Sequence, residues 1–137
     1  MPDITLNLAA VVIAAVANVL IGALWFNTPF LFNKQWLQGI GKTAEQVNAD
    51  SSPVSIAIAV IGALTASLMT GIIAGWIGID SLLQGAIFGV MIGVVTAISA
   101  AIKDSFERRP RLLTMVNAGH DLFVFAVMGG VFGLILP

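Results

Sequence analysis

Four apolar runs fill nearly the whole chain, and each is longer than the about 20 residues that a helix needs to cross a bilayer. They cover residues 4–26, 53–77, 81–102 and 111–136. A chain of 137 residues cannot fold that much apolar surface into its own interior. In lipid each backbone must satisfy itself, so the runs read as helices. Transmembrane strands would be shorter and would alternate in character. Composition agrees: 9% of residues are charged, against about 25% in a soluble domain. The expected fold is all-α, one integral membrane bundle of four transmembrane helices spanning 1–137. Loops at 27–52 and 103–110 join the spans, with an interfacial segment after the first. No Lys or Arg precedes the first run, so it reads as a retained span rather than a signal peptide.

Boundary residues support these limits. Pro29 stops the first span. Ser52 and Pro53 supply a cap and a first-turn proline for the second. Ser81 with Gln84 forms a capping-box pattern for the third, and Pro110 opens the fourth. The turn Gly78-Ile79-Asp80 is so short that spans two and three are expected to be antiparallel neighbours. Thr43 and Gln46 offer another capping box, for a short helix ending near Asp50.

Charge sets topology. Lys34 and Lys42 lie between spans one and two, and Lys103, Arg108, Arg109 and Arg111 between spans three and four. By the positive-inside rule both loops face the cytoplasm and both termini lie outside it, in a cell inner (plasma) membrane. Trp25 and Trp36 suit the headgroup layer, where Lys34, Arg108, Arg109 and Arg111 can also meet anionic lipid. Lys103 with Glu107 and Asp104 with Arg108 have i,i+4 spacing and read as a solvated collar.

Small residues recur every four positions. Gly85, Gly89, Gly93, Ala97 and Ala101 form the longest stripe, on span three. Shorter stripes run through Ala10, Ala14, Asn18 and Gly22, through Gly71 and Gly75, and through Gly129 and Gly133. Such stripes allow close helix approach, which places span three at the bundle centre or at a subunit interface. A unit this small has little interior, so a homo-oligomer or a subunit of a membrane complex is expected.

Polar side chains at membrane depth are costly and call for a compensating role. Asn117, His120 and Asp121 share a face of span four by i,i+3 and i,i+4 spacing. At 1.5 Å per residue, His120 and Asn18 each lie about 12 Å from the basic side, with Thr96 near that level. These residues predict an Asn–His–Asp layer between spans one and four, which binds a ligand or passes a proton through His120. The alternative is that they are interhelical glue, each worth about 1 kcal/mol. Asn18 and Thr96 fit glue well. A carboxylate at Asp121 fits it less well.

Other classes find little support. Net charge is −1, which offers no nucleic-acid face. Without cysteine, and with one histidine, no metal site is expected. The sequence carries no nucleophile elbow, no phosphate loop and no cofactor motif. An enzyme using His120 as acid or base ranks below a binding or transport module and below a structural accessory subunit.

The stretch Gly22-Ala23-Leu24-Trp25-Phe26, then Pro29, then Leu31-Phe32-Asn33-Lys34-Gln35-Trp36, resembles the first-span signature of a bacterial membrane family. That family is called domain of unknown function seventeen sixty-one. Asn33 stands where its members usually carry glycine. Arg108 to Gly130, with a basic start and a Met-Gly end, is similar to the family's last span. The likeness runs the full length. It implies a small polytopic bacterial protein and no particular activity.

Overall fold

Short polar side chains set the helix starts in the computed structural model, which describes residues 6–135. Helix α1 covers Leu8–Asn27, and the Asn7 carbonyl oxygen of the side chain accepts from the Ala9 and Ala10 N–H groups. It ends ahead of Pro29, with Thr28 extended, because proline disfavours a helical residue before it. Helices α2 (Asn33–Ile40) and α3 (Ala44–Asp50) form the segment after the first span. Thr43 and Gln46 cap α3 reciprocally. Helix α4 covers Pro53–Ile77, capped by Ser52. Helix α5 covers Leu82–Phe106, and Ser81 Oγ accepts from the Gln84 N–H at 3.5 Å. The Gln84 side chain accepts from Asp80 rather than Ser81, so that box closes one residue early. Helix α6 covers Arg111–Ile135, and the Pro110 carbonyl accepts from Leu113 and Thr114.

The protein is an all-helical membrane protein. Helices α1, α4, α5 and α6 are long and apolar enough to span a bilayer. Their outward faces are bare apolar surface: Ile58, Leu83 and Val95 each stay 66–69% exposed. Water would penalise that surface, and lipid does not.

Helix α6 is the hub, touching α1, α2, α4 and α5. Of the two places expected for span three, this corrects the one at the bundle centre. The α5 stripe is spent on one neighbour. A Cβ at Gly85 would lie 2.8 Å from the Gly129 carbonyl carbon, and one at Gly93 would lie 2.9 Å from the Leu122 Cα. Backbone therefore meets backbone along the α5–α6 seam. The other sides of α6 reach α1 and α4, with Met128 and Phe132 fully buried among Ala10, Ala14 and Ala74.

The expectation that spans two and three pack as neighbours is also corrected. Helices α4 and α5 share the tight turn at Gly78 (φ 72°) but scarcely touch otherwise. A short turn fixes only where two helix ends lie, and the packing faces decide the rest. Those of α4 point elsewhere: Ser67 Oγ donates to the Val11 carbonyl of α1 at 2.7 Å, and Gly71 makes room for the Phe132 ring.

Contacts at the other end of α6 bring the basic loops together. A Cβ at Gly39 of α2 would lie 2.8 Å from the Leu113 Cβ. At the opposite end Asn7 donates to the Ile135 carbonyl at 3.4 Å. All six Lys and Arg residues thus lie toward one end of the bundle. Their pairing differs from the helical spacing rule. Arg109 meets Glu107 at 2.6 Å and Asp104 at 3.7 Å, because α5 ends at Phe106 before the i,i+4 partners share a face.

Candidate functional site

The site begins with the antiparallel crossing of α1 on α6. Trp25 Nε1–H donates to the Val116 carbonyl at 3.2 Å, which fixes register at the basic end. One turn further along α1 comes Gly22, whose missing side chain leaves His120 Nε2 3.5 Å from where a Cβ would sit. A Cβ there would make ordinary contact with the ring, and a side chain longer than alanine would extend toward the imidazole.

Aromatic rings surround His120. Its ring centroid lies 4.9 Å from Phe26 and 6.0 Å from Trp25. Trp25 itself stacks on Phe32 at 4.4 Å and on Phe123 at 6.0 Å. The His120 side chain keeps 16% of its surface exposed and the Asp121 side chain 25%. His120 Nδ1 lies 3.3 Å from Asp121 Oδ1, so adjacent side chains on α6 do meet. Nε2 is buried and has no hydrogen-bond partner among the described residues. Such an orphaned polar atom costs about 1–3 kcal/mol and asks for an explanation.

An open cleft of about 600 Å³ runs beside it. The cleft lies between α1 and the start of α4, with Trp36 at one edge, and Asn18, Gly22, Phe26, Ser55, Ala59 and His120 among its walls. It is largely apolar, with a few polar groups, which is the character of sites for small lipophilic molecules.

The predicted layer is only partly assembled. Asn18 and His120 both face this cleft. Yet Asn18 stands one turn, about 6 Å, beyond the level of His120. Its amide donates to the Met128 sulfur at 3.4 Å, not to the imidazole. Asn117 is half-buried and makes no side-chain hydrogen bond among the described residues. Thr96 donates to Ile92 of its own helix at 2.8 Å and stays on α5, outside the cleft. Arg108, Arg109 and Arg111 line a separate cavity at the end of α5. Lys34 is exposed on α2. Gly85, Gly89 and Gly93 are spent on the α6 seam.

Sequence reasoning did not assign Gly22, Phe26 or Ser55 to the site. A signal for the first two was present. Extending the α1 stripe from Asn18 and Gly22 by three and four residues reaches Trp25 and Phe26, the aromatics that enclose His120. Ser55 lies far away in sequence, in the first turn of α4, and nothing local marks it.

Among the described residues, no group of three His, Cys, Asp or Glu side chains is placed to hold a metal ion. A family model described as a protein of unknown function (DUF1761) matches residues 9–133. No curated protein matches the chain, and no solved structure does either.

Proposed function

Because the chain belongs to the DUF1761 family of proteins of unknown function, no activity is inherited, and we propose a role from the His120 cleft itself: a membrane binding or transport module for a lipophilic molecule with a hydroxyl head. The observation that carries this reading is the unpartnered Nε2 of His120 beside an apolar cleft.

In this reading the Asp121 carboxylate, 3.3 Å from Nδ1, accepts from Nδ1–H and so fixes the imidazole tautomer, as a carboxylate commonly does. Nε2 is then a bare acceptor, held against rotation by Phe26 and Trp25. A hydroxyl donor entering from the cleft removes the cost of the orphaned atom once a small shift of the ring away from Gly22 uncovers Nε2. The apolar walls take the tail, and Asn18 and Ser55 offer further polar contacts along the way. The positive-inside rule puts the basic loops in the cytoplasm and both termini outside, and the family resemblance implies a bacterial plasma membrane as the host. The site then lies in the inner half of the bilayer.

The chain has a single histidine, so one labelled imidazole reports on the site directly. In nanodiscs holding the 15N-histidine protein, dodecanol is expected to shift the Nε2 resonance while dodecane leaves it in place. Equal responses to both, or none to dodecanol, would sink the proposal.

A second reading, a subunit in a homo-oligomer or larger membrane complex, draws on α4. Val54, Ile58 and Ile61 leave its outer face 63–66% exposed, and α5 does not cover it. Intact-mass measurement from native membranes distinguishes the two: a single chain as the only species excludes the subunit reading.

A further inference from the structure

The loop joining α5 to α6 holds a second cavity, of about 440 Å³, lined by Asp104, Ser105, Arg108, Arg109, Arg111 and Thr114 among others. Asp104 in its lining and Glu107 at the nearby α5 cap are already engaged. Asp104 Oδ2 accepts from the Thr114 hydroxyl at 2.7 Å, and Glu107 Oε2 accepts from Arg109 Nε–H at 2.6 Å. Arg108 and Arg111 have no carboxylate within ion-pair distance among the described residues. Arg108 and Arg111 thus line one cavity without an ion-pair partner among the described residues, and the Asp104 carboxylate in the same lining pairs with Arg109.

Arg108 is also an exception in its backbone. Helices α2 and α4 each end on a glycine in the left-handed region, Gly41 and Gly78. After α5 the residue in that region is Arg108, at φ 56°, and among the described residues no other non-glycine residue has positive φ. The bonds Arg108 N–H to Ser105 and Arg109 N–H to Asp104 complete the helix end in the pattern that favours glycine. Keeping an arginine there makes sense where its side chain is needed.

The cavity also has an apolar wall. Ala101 and Met115 line it, and Met115 is 72% exposed on the lipid-facing side of α6. We propose that this pocket binds the phosphate of an anionic phospholipid, with Arg108 and Arg111 on the headgroup and the acyl region against Ala101 and Met115. A basic pocket between membrane helices on the positive side has the chemistry for such a headgroup. The phosphate is the recognised group, and the apolar wall selects the lipid over free phosphate.

The test uses the full chain in detergent micelles. Phosphatidylglycerol or phosphatidylcholine is titrated in, and bound lipid is read by native mass spectrometry. Phosphatidylglycerol is expected to bind more tightly than phosphatidylcholine. Arg108→Gln and Arg111→Gln should each weaken it about five-fold. Arg108→Gly relieves the backbone and keeps the fold, yet should weaken it as much as Arg108→Gln does. Lys42→Gln, which removes an equal charge from the other basic loop, should leave it unchanged. The proposal is overturned if Lys42→Gln weakens binding as much as the arginine changes do. It is also overturned if Arg108→Gly binds like the parent chain, or if inorganic phosphate displaces the lipid at equal concentration.

Discussion

Replacing Gly89 by alanine sets two simple rules against each other. Helix propensity alone says that Gly→Ala inside a helix stabilises by about 1 kcal/mol. The structure says the reverse. A Cβ at Gly89 would lie 2.6 Å from the Phe125 carbonyl carbon and 3.0 Å from the Ala126 Cα. The first distance is about 0.8 Å inside the 3.4 Å at which ordinary contact begins. The obstructing atoms are backbone, so no rotamer change relieves them. Helices α5 and α6 must separate, and the adjoining contacts at Gly85 and Gly93 loosen with them. Overpacking of this kind costs about 1–3 kcal/mol, and a backbone-to-backbone seam belongs at the upper end. Subtracting the propensity gain leaves a net loss of about 2 kcal/mol. Gly62→Ala is the internal control: nothing lies within 4 Å of its Cβ, so it should be neutral or slightly stabilising. Reversible unfolding in mixed micelles, followed by circular dichroism and tryptophan fluorescence, gives both values. If Gly89→Ala proves as stable as Gly62→Ala, the α5–α6 seam is not packed as described.

Three further expectations use the same assay. Ser67→Ala removes the buried hydroxyl that reaches the Val11 carbonyl and should cost about 0.6–1.7 kcal/mol. Thr65→Ala, whose hydroxyl bonds only within its own exposed helix face, should cost almost nothing; equal losses would refute the α1–α4 bond. Trp25→Phe keeps an aromatic ring between Phe32 and Phe123 but loses the donor to Val116. It should cost about 1 kcal/mol and move the His120 imidazole resonances, and an unchanged spectrum would argue against the aromatic enclosure. Arg108→Gly should raise stability by about 1 kcal/mol, since the left-handed region penalises a side chain there, and a loss instead would count against the strained helix end.

The reach of sequence reasoning follows the range of each interaction. Helix starts at Ser52, Thr43 and Ser81 are set by bonds to residues three positions on, so they are visible locally. The lipid-facing class of the protein is equally local, since length and apolarity decide it. Neighbour choice is not local. The glycines of α5 announce a close partner, but only Gly129 and Gly133, aligned in register on α6, say which one. The tight turn at Gly78 points to α4, but it fixes only where two helix ends lie and not which faces pack. His120 and Asp121 stood out as polar groups in an apolar span, and their contact with each other is again local. What the sequence concealed was the distant half of the cleft. Trp36 and Ser55 arrive there only once α2 has folded back and α4 has docked on α1. Asn18 matched the depth arithmetic to within a turn, but its partner is Met128, a thioether that no polar pattern would have selected.

The measurement that bears most directly on the account is the 15N spectrum of the lone imidazole in the full chain, in lipid and with no added ligand. Nδ1 is expected to appear as the protonated nitrogen, coupled to Asp121 and changed by Asp121→Asn, with Nε2 as the bare one. A proton on Nε2, or averaged nitrogens typical of a freely exchanging surface histidine, would contradict the site at its foundation.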